Sequence, residues 1–123
     1  MLQYEELPTL QREEATVEGV LRAIDDYKMG YCMLVNRQFE LVGVVTNADV
    51  RRGMLKHLGD ASELGVDSML NRSPKFIRPE LTVTEMLRFV KSLDFLVLFL
   101  PVVDEAGQLV GAVNFNNLIL GEL

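Results

Sequence analysis

A short segment at residues 46–52 concentrates the polar groups with the clearest potential for binding chemistry. Thr46 and Asp49 stand three residues apart where a strand pattern gives way to a helix pattern, and Arg51 and Arg52 follow. A hydroxyl and a carboxylate at this spacing share one face of the first helical turn, and both can accept hydrogen bonds from sugar hydroxyls. The positive end of a helix dipole favours an anion, and arginine pairs well with phosphate. The segment therefore has the chemistry to bind an anionic ligand that carries hydroxyl groups.

The same spacing also has an interpretation that needs no ligand. Thr46 and Asp49 fit a capping box, in which the two side chains satisfy the free N–H groups of a helix start. Arg51 and Arg52 are equally typical of a solvated helix face. Ligand contact and helix capping remain compatible interpretations of one segment.

Catalytic and metal chemistry have little support in the sequence. The chain has one histidine, His57, and one cysteine, Cys32, which cannot form a zinc site by themselves. A hydrolytic triad would have to use His57, which stands at a predicted helix end with no motif around it. We interpret Cys32 as a small core residue rather than a reactive thiol. The sequence therefore predicts that the chain is not an independent enzyme.

Composition limits the class of protein and its partners. The 123 residues are 49% apolar and 24% charged, and 12 Lys plus Arg against 18 Asp plus Glu give a net charge of −6. This balance argues against nucleic acid as a partner, because phosphate favours a basic face. The longest apolar stretch, residues 95–103, is interrupted by Pro101 and far shorter than the about 20 residues of a membrane span. The acidic start lacks signal-peptide features, and a single cysteine suits a reducing compartment, so we expect a cytoplasmic location.

The sequence repeats itself once. Thr16-Val17 with Leu21-Arg22 recurs 66 residues later as Thr82-Val83 with Leu87-Arg88. Leu41-Val42-Gly43 with Val45 recurs 68 residues later as Leu109-Val110-Gly111 with Val113. Two matched blocks in one order indicate duplication, with the two-residue drift placed around residues 93–99.

Each copy predicts the same order of helix, strand, strand and helix. In the first copy a helix begins at Thr16, strands cover residues 31–35 and 39–45, and a second helix starts near Thr46 with apolar residues at spacings of four. In the second copy Thr82 and Glu85 form a capping box, strands cover residues 96–103 and 108–113, and Asn114 opens a short final helix. Residues 7–10 and 74–78 are predicted lead-in strands. The predicted domains are 1–60 and 61–123, the latter with a connecting segment at 61–73.

This pattern resembles a tandem pair of cystathionine-β-synthase (CBS) domains, known as a Bateman module. Residues 41–49, Leu-Val-Gly-Val-Val-Thr-Asn-Ala-Asp, are similar to the family's strand ending in Gly-x-x-Thr-x-x-Asp. Residues 100–104, Leu-Pro-Val-Val-Asp, match its strand before the hairpin, and Thr82-Val83 with Met86-Leu87 match its first helix. Residues 43–52, followed by residues 66–69, look most similar to the CBS region of sugar-phosphate isomerases of the arabinose 5-phosphate type. The catalytic domain of those isomerases is absent from this chain.

The resemblance implies an α/β (α+β) fold of two pseudo-symmetric copies, each with a small sheet and two packed helices. It also implies a cleft between the copies that binds an adenosine nucleotide such as AMP, ADP or ATP, or a related nucleotide. Physically, Thr46 and Asp49 suit the ribose, Arg51 and Arg52 suit phosphate, and Tyr31 with Cys32 suit the base. The candidate nucleotide-binding residues are Thr9, Tyr31, Cys32, Thr46, Asn47, Asp49, Arg51 and Arg52.

The second copy departs from the family pattern. Asn114 stands where Thr or Ser is expected, and Asn117 stands where Asp is expected, so no negative charge meets a ribose diol. The possible second site comprises Ile77, Pro101, Asn114 and Asn117. The first copy in turn lacks the Leu-Pro-Val-Val-Asp run, because residues 33–36 read Met-Leu-Val-Asn. One occupied site, or none, is expected rather than two.

Three hypotheses about function follow. The chain is a regulatory ligand-binding module that relays nucleotide binding to a partner enzyme or a fused domain, with no required cofactor. Alternatively, it is a homodimerisation module whose cleft binds no ligand. The third hypothesis is a detached regulatory region of a sugar-phosphate isomerase.

Overall fold

The computed structural model describes residues 2–3, 6–95 and 97–115. The chain divides into two compact units, one comprising Leu7–Pro74 and the other Lys75–Leu123 together with Met1–Glu6. This division lies between Pro74 and Lys75, whereas the repeat pattern predicts copies of 1–60 and 61–123; those bounds stay a prediction. Both units combine a small sheet with α-helix, which is the mixed α and β class that the sequence predicts.

The first copy follows the predicted order of helix, strand, strand and helix, and the second copy follows it as far as its second strand. In chain order the elements are β1 (Leu2–Gln3), β2 (Thr9–Gln11), α1 (Val17–Tyr27), β3 (Tyr31–Val35), β4 (Leu41–Thr46), α2 (Asn47–Lys56), α3 (Val66–Met69), α4 (Val83–Ser92), β5 (Phe99–Val103) and β6 (Leu109–Asn114). Short 3-10 turns lie at Arg12–Glu14 and Ala61–Glu63. Within these described ranges no helix has the length and apolar character needed to cross a membrane.

The first unit is built on a three-stranded sheet in the order β2-β3-β4. β2 runs parallel to β3, and β3 pairs antiparallel with β4. One face of this sheet carries Cys32, Leu34 and Val45, which pack in a single core with buried residues of α1 and α3. Val50 of α2 packs against the same core, so α1, α2 and α3 all cover this one face.

Helix α1 begins where its sequence predicts, directly after Thr16. The Thr16 side chain accepts a hydrogen bond from the Gly19 N–H at 3.0 Å, which satisfies one free donor of the first turn. At the other end Lys28 and Gly30 have positive φ values of 56° and 79°. These left-handed residues stop the helix and turn the chain into β3.

All four strands with a shifted start begin later than predicted: β2 at Thr9 instead of residue 7, β6 at Leu109 instead of residue 108, and β4 and β5 as follows. The second strand of the first copy was predicted from Phe39, but β4 begins at Leu41 because Phe39 has a positive φ of 68°. The Asn36 side chain holds this turn by accepting from the N–H groups of Gln38 and Glu40, at 3.0 and 2.8 Å. In the second copy the strand predicted from residue 96 begins at Phe99. Leu96 itself lies outside the described residues.

The second unit has a sheet in the order β1-β6-β5. β1, from the start of the chain, pairs antiparallel with β6 and places Leu2 opposite Ala112. The lead-in strand predicted at 74–78 is reduced to one parallel bridge between Ile77 and Val102. Asn114, predicted to open a helix, is instead the last residue of β6, and the predicted final helix lies outside the described residues.

Candidate functional site

Strand register places three candidate residues on one face of the first sheet. Tyr31, the first residue of β3, lies opposite Thr46, the last residue of β4. Thr9, the first residue of β2, lies beside Met33. Paired residues point to the same face of a sheet, and so do residues two apart along a strand. Thr9, Tyr31 and Thr46 therefore share one face, opposite the face that packs against the helices.

The predicted capping box at the start of α2 is confirmed. The Asp49 N–H donates to Thr46 Oγ1 at 3.1 Å. In return Asp49 Oδ2 accepts from both the N–H and the hydroxyl of Thr46, each at 2.9 Å. These bonds hold the hydroxyl and the carboxylate against each other at the positive end of the helix.

Arg52 extends this cluster by one more bond. Its Nη2 donates to Asp49 Oδ1 at 2.6 Å, in an ion pair whose side chains are 63% and 13% exposed for Arg52 and Asp49. A carboxylate oxygen has two lone pairs, so Oδ2 is fully used within the cluster whereas Oδ1 can accept one further hydrogen bond. The exposed guanidinium also keeps donors that Asp49 does not use. Asp49 and Arg52 can therefore each make a new contact without breaking the capping box.

Thr9 contributes a polar atom that the protein itself does not satisfy. Its Oγ1 has no exposed surface and no hydrogen-bond partner. A buried hydroxyl without a partner is unfavourable, which makes such an atom notable on the sheet face that Thr46 shares. Tyr31 is buried on this face opposite Thr46, and its hydroxyl donates to Met29 Sδ at 3.6 Å.

Cys32 does not join these residues. Successive strand residues point to opposite faces, so Cys32 faces the helices and the core while Tyr31 faces the other way. Its side chain is buried, and this burial raises the pKa of the thiol to about 12. The structure thus brings Tyr31, and not Cys32, together with Thr46.

Asn47 and Arg51 lie at the solvent-exposed side of the helix start. The Asn47 N–H donates to the Gly30 carbonyl at 3.1 Å, which ties the start of α2 to the turn before β3. The sequence indicates Gly30 only as the stop of the first helix and not as a partner of α2, because this contact uses a backbone carbonyl. It does not indicate Met33 as a candidate, although strand alternation places Met33 on the face of Tyr31.

The second copy repeats the strand register of the first copy, but different side chains stand at the paired positions. Asn114 lies opposite Phe99, in the register that pairs Thr46 with Tyr31. Pro101 is buried in β5, and Ile77 is buried with its N–H donating to the Pro101 carbonyl at 3.0 Å. Asn117 lies outside the described residues. Phe99 and Asn114 therefore supply neither of the two hydroxyl groups that Tyr31 and Thr46 supply in the first copy.

No group of three His, Cys, Asp or Glu side chains suited to a metal ion occurs in the part of the chain that the structure describes. His57 ends α2, and its Nδ1 lies 3.9 Å from Glu63 Oε2. This pair is a contact between a helix end and the following turn.

Comparison with known proteins gives both a family match and a fold match. Residues 66–120 match the family described as CBS domain. An uncharacterised protein of Chlamydia muridarum is 34% identical over 105 residues, which is 84% of this chain and 32% of that protein. The chain therefore spans about a third of the length of this relative.

Two solved structures extend the likeness over nearly the whole chain. CBSX2, a CBS-pair protein from Arabidopsis thaliana solved in complex with AMP, superposes with a TM-score of 0.79 at 22% identity, covering 98% of this chain and 90% of that one. The cytosolic domain of the Mg²⁺ channel MgtE in complex with ATP gives a TM-score of 0.69 at 26% identity, covering 98% of this chain and 46% of that one. The family match in the second half and the fold of the whole chain together support a CBS domain pair.

Proposed function

We propose that the chain is a regulatory module whose first copy binds an adenosine nucleotide or a related nucleotide. The observation that carries this proposal is the cluster of Thr46, Asp49 and Arg52 at the start of α2, which has spare hydrogen-bonding capacity, with the unsatisfied hydroxyl of Thr9 on the sheet face that Thr46 shares. Similar structures that hold AMP and ATP support the same class of ligand.

Each part of a nucleotide has a counterpart in this cluster. The remaining acceptor site on Asp49 Oδ1 suits a ribose hydroxyl, and a hydrogen bond to a charged acceptor contributes about 1.5–3 kcal/mol. Arg52 keeps donors for phosphate oxygens while it stays paired with Asp49. The base is assigned to the sheet face that Tyr31 and Thr9 share with Thr46.

A single site is expected in each chain. Asn114 replaces the Thr46 hydroxyl in the second copy, and Asn117 replaces the Asp49 carboxylate in sequence. An amide lacks the charge that strengthens a bond to a ribose hydroxyl. We therefore assign the nucleotide to the first copy and leave Ile77, Pro101, Asn114 and Asn117 without a ligand.

The matched test compares two capping boxes, of which only the one at the start of α2 belongs to the proposed site. Asp49→Asn and Glu85→Gln each neutralise the acid of a capping box, the second one in α4. Titration calorimetry with AMP, ADP and ATP should show one site in the wild type. The affinity should fall about 10- to 100-fold in Asp49→Asn, from the loss of one charged hydrogen bond, and less than about twofold in Glu85→Gln.

Two outcomes would contradict this function. Absence of any heat or thermal shift with millimolar AMP, ADP and ATP in the wild type removes the nucleotide proposal. A ligand at 100 times its dissociation constant should stabilise the chain by about 2.7 kcal/mol, so a true site is readily detected. Equal loss of affinity in both variants would place the effect in helix capping rather than in ribose contact.

The activity that nucleotide binding regulates lies in a partner enzyme or in a fused domain. The chain spans about a third of its Chlamydia relative, which favours a role as the regulatory part of a longer protein. The similarity of residues 43–52 to sugar-phosphate isomerases of the arabinose 5-phosphate type makes such an isomerase the candidate for that partner. Isomerase assays with and without this chain, at saturating AMP, test the assignment.

A further inference from the structure

The carboxylate of Asp49 has already used most of its hydrogen-bonding capacity within the first unit. A carboxylate offers about four acceptor sites, two on each oxygen. Oδ2 uses both of its sites on the N–H and the hydroxyl of Thr46, each at 2.9 Å. Oδ1 uses one site on Arg52 Nη2, at 2.6 Å. A ligand therefore finds a single acceptor site on this carboxylate, on Oδ1.

Thr46 fixes the oxygen that a ligand can use. A rotation of the carboxylate that offered Oδ2 to a ligand would break two hydrogen bonds to Thr46 at once. One of them is the return bond of the capping box at the start of α2. The Asp49 side chain is only 13% exposed, so little of the carboxylate is open to water that could replace these bonds. Oδ1 is therefore the oxygen that meets a sugar.

Arg52 keeps its place on Oδ1 for two physical reasons. It stands three residues after Asp49 on the same helix, at a spacing that places the two side chains together on the helix surface. A charged donor also binds a carboxylate more strongly than a neutral hydroxyl does, so a sugar hydroxyl cannot replace the guanidinium without a loss. A phosphate can use the other N–H groups of Arg52, whose side chain is 63% exposed, while the pair with Asp49 stays intact.

A ribose offers two neighbouring hydroxyl groups, at its 2′ and 3′ positions, and the cluster receives them unequally. The remaining site on Asp49 Oδ1 takes one of them. The other acceptor of the cluster is Thr46 Oγ1, which accepts from the Asp49 N–H at 3.1 Å and keeps one lone pair. This oxygen is neutral, and hydrogen bonds to charged acceptors are roughly twice as strong as those between neutral groups.

We infer that Arg52 makes the nucleotide site recognise one ribose hydroxyl much more strongly than the other. This inference rests on the proposed function and adds a class of ligand to it, namely a nucleotide that lacks the weakly recognised hydroxyl. Arg52 determines this specificity through Asp49, because it fills the acceptor site that the second hydroxyl would need. One of the two deoxy forms of a nucleotide therefore binds nearly as well as the ribonucleotide.

Deoxy analogues measure the two hydroxyl groups separately. Titration calorimetry of the full chain with AMP, 2′-deoxy-AMP and 3′-deoxy-AMP gives one loss of affinity for each missing hydroxyl. In the wild type one loss should be on the order of 30-fold, as for a charged hydrogen bond, and the other on the order of threefold. The two losses should differ at least about fivefold. This comparison needs no variant and does not depend on how a variant folds.

Arg52→Met tests the cause of the inequality. Methionine has an unbranched side chain without a donor and is a good helix former, so both acceptor sites on Asp49 Oδ1 become available while α2 is kept. AMP should bind this variant more weakly, but the two deoxy losses should come within about twofold of each other. Arg51→Met is the matched control, because it removes a positive charge from the exposed neighbouring position. It should keep the inequality of the wild type.

Four outcomes would overturn the inference. Equal deoxy losses in the wild type would show that the sugar displaces Arg52, and the nucleotide site itself would stand. An inequality that persists in Arg52→Met would have another cause than the filled acceptor site. Loss of the inequality in Arg51→Met as well would assign it to the charge of the helix start and not to the pair. A wild type that binds none of the three compounds would remove the proposed function together with this inference.

Discussion

Gly43→Ala tests how closely residues 70–71 approach β4 in the first unit. Gly43 lies in β4, and a Cβ at this position would stand 2.5 Å from the Asn71 carbonyl oxygen and 2.7 Å from Leu70 Cδ1. A backbone oxygen cannot rotate away, so the strand segment at Asn71 must withdraw. That segment is fixed to β4 by two hydrogen bonds, from Val44 N to Asn71 O at 3.0 Å and from Asn71 N to Val44 O at 2.8 Å.

The magnitude follows from these contacts. Two backbone hydrogen bonds contribute about 1 kcal/mol each, and displacement of Leu70 removes further packing. Alanine restricts the unfolded chain more than glycine does, which returns about 0.4–1 kcal/mol. We expect a net loss of about 2 kcal/mol in the free energy of unfolding, measured by urea titration with far-ultraviolet circular dichroism. For a chain of this size the melting temperature should fall by about 6–10 °C.

Gly59→Ala is the matched control. Nothing lies within 4 Å of a Cβ at Gly59, so the same chemical change should leave stability unchanged or raise it slightly. If Gly43→Ala is as stable as Gly59→Ala, the close approach of residues 70–71 to β4 is refuted. A loss in both variants would instead indicate an effect on the unfolded chain.

Two further predictions concern titratable groups of the first unit. Burial raises the pKa of Cys32 to about 12, so at pH 8 only about one thiol in 10,000 is ionised. A disulfide reagent should therefore label Cys32 in the native chain only as fast as the chain unfolds. Rapid labelling would contradict a buried thiol. Hydrogen bonding by Arg12, with a further contribution from Arg72, lowers the pKa of Asp67 below its usual 3.8. The stabilisation from Asp67 is therefore present above pH 3.8 and lost as the pH falls through its lowered value in the folded chain. The difference in unfolding free energy between wild type and Asp67→Asn should shrink between pH 5 and pH 2, and a difference that is constant with pH would disprove the assigned pairing.

The regular elements were predictable because local rules determine them. Thr16, Thr46 and Thr82 each cap a helix in the structure as their types and spacing indicate. The two-residue drift between the copies also arises before the first strand, because the helix starts Val17 and Val83 are 66 residues apart whereas the strand starts Tyr31 and Phe99 are 68 apart. Capping and turn chemistry act over a few residues, so one sequence suffices to locate them.

Long-range pairing was less predictable. The bridge between Val44 and Asn71 and the pairing of β1 with β6 join segments far apart in the chain. Neither segment has the length or the alternating apolar pattern that indicates a strand in a sequence. Each is extended because it pairs with a strand far away in the chain, so its conformation depends on context and not on local propensity. The sequence alone therefore placed residue 71 in the connecting segment of the second copy, whereas its hydrogen bonds belong to the first unit.

In the candidate site the sequence motif predicts which residues bond to each other, but it does not predict which other side chains reach them. The spacing of Thr46 and Asp49 predicted their bonds correctly, yet it could not predict that Arg52 occupies one side of the carboxylate. Helical periodicity likewise marked Met54 and Leu58 without distinguishing an inward stripe from an outward one. In α2 the inward side is formed by Val50 and Gly53, and Met69 Cγ would lie 2.9 Å from a Cβ at Gly53. The absence of a side chain at Gly53 lets α3 approach closely, and α2 therefore directs its larger apolar residues away from its own unit.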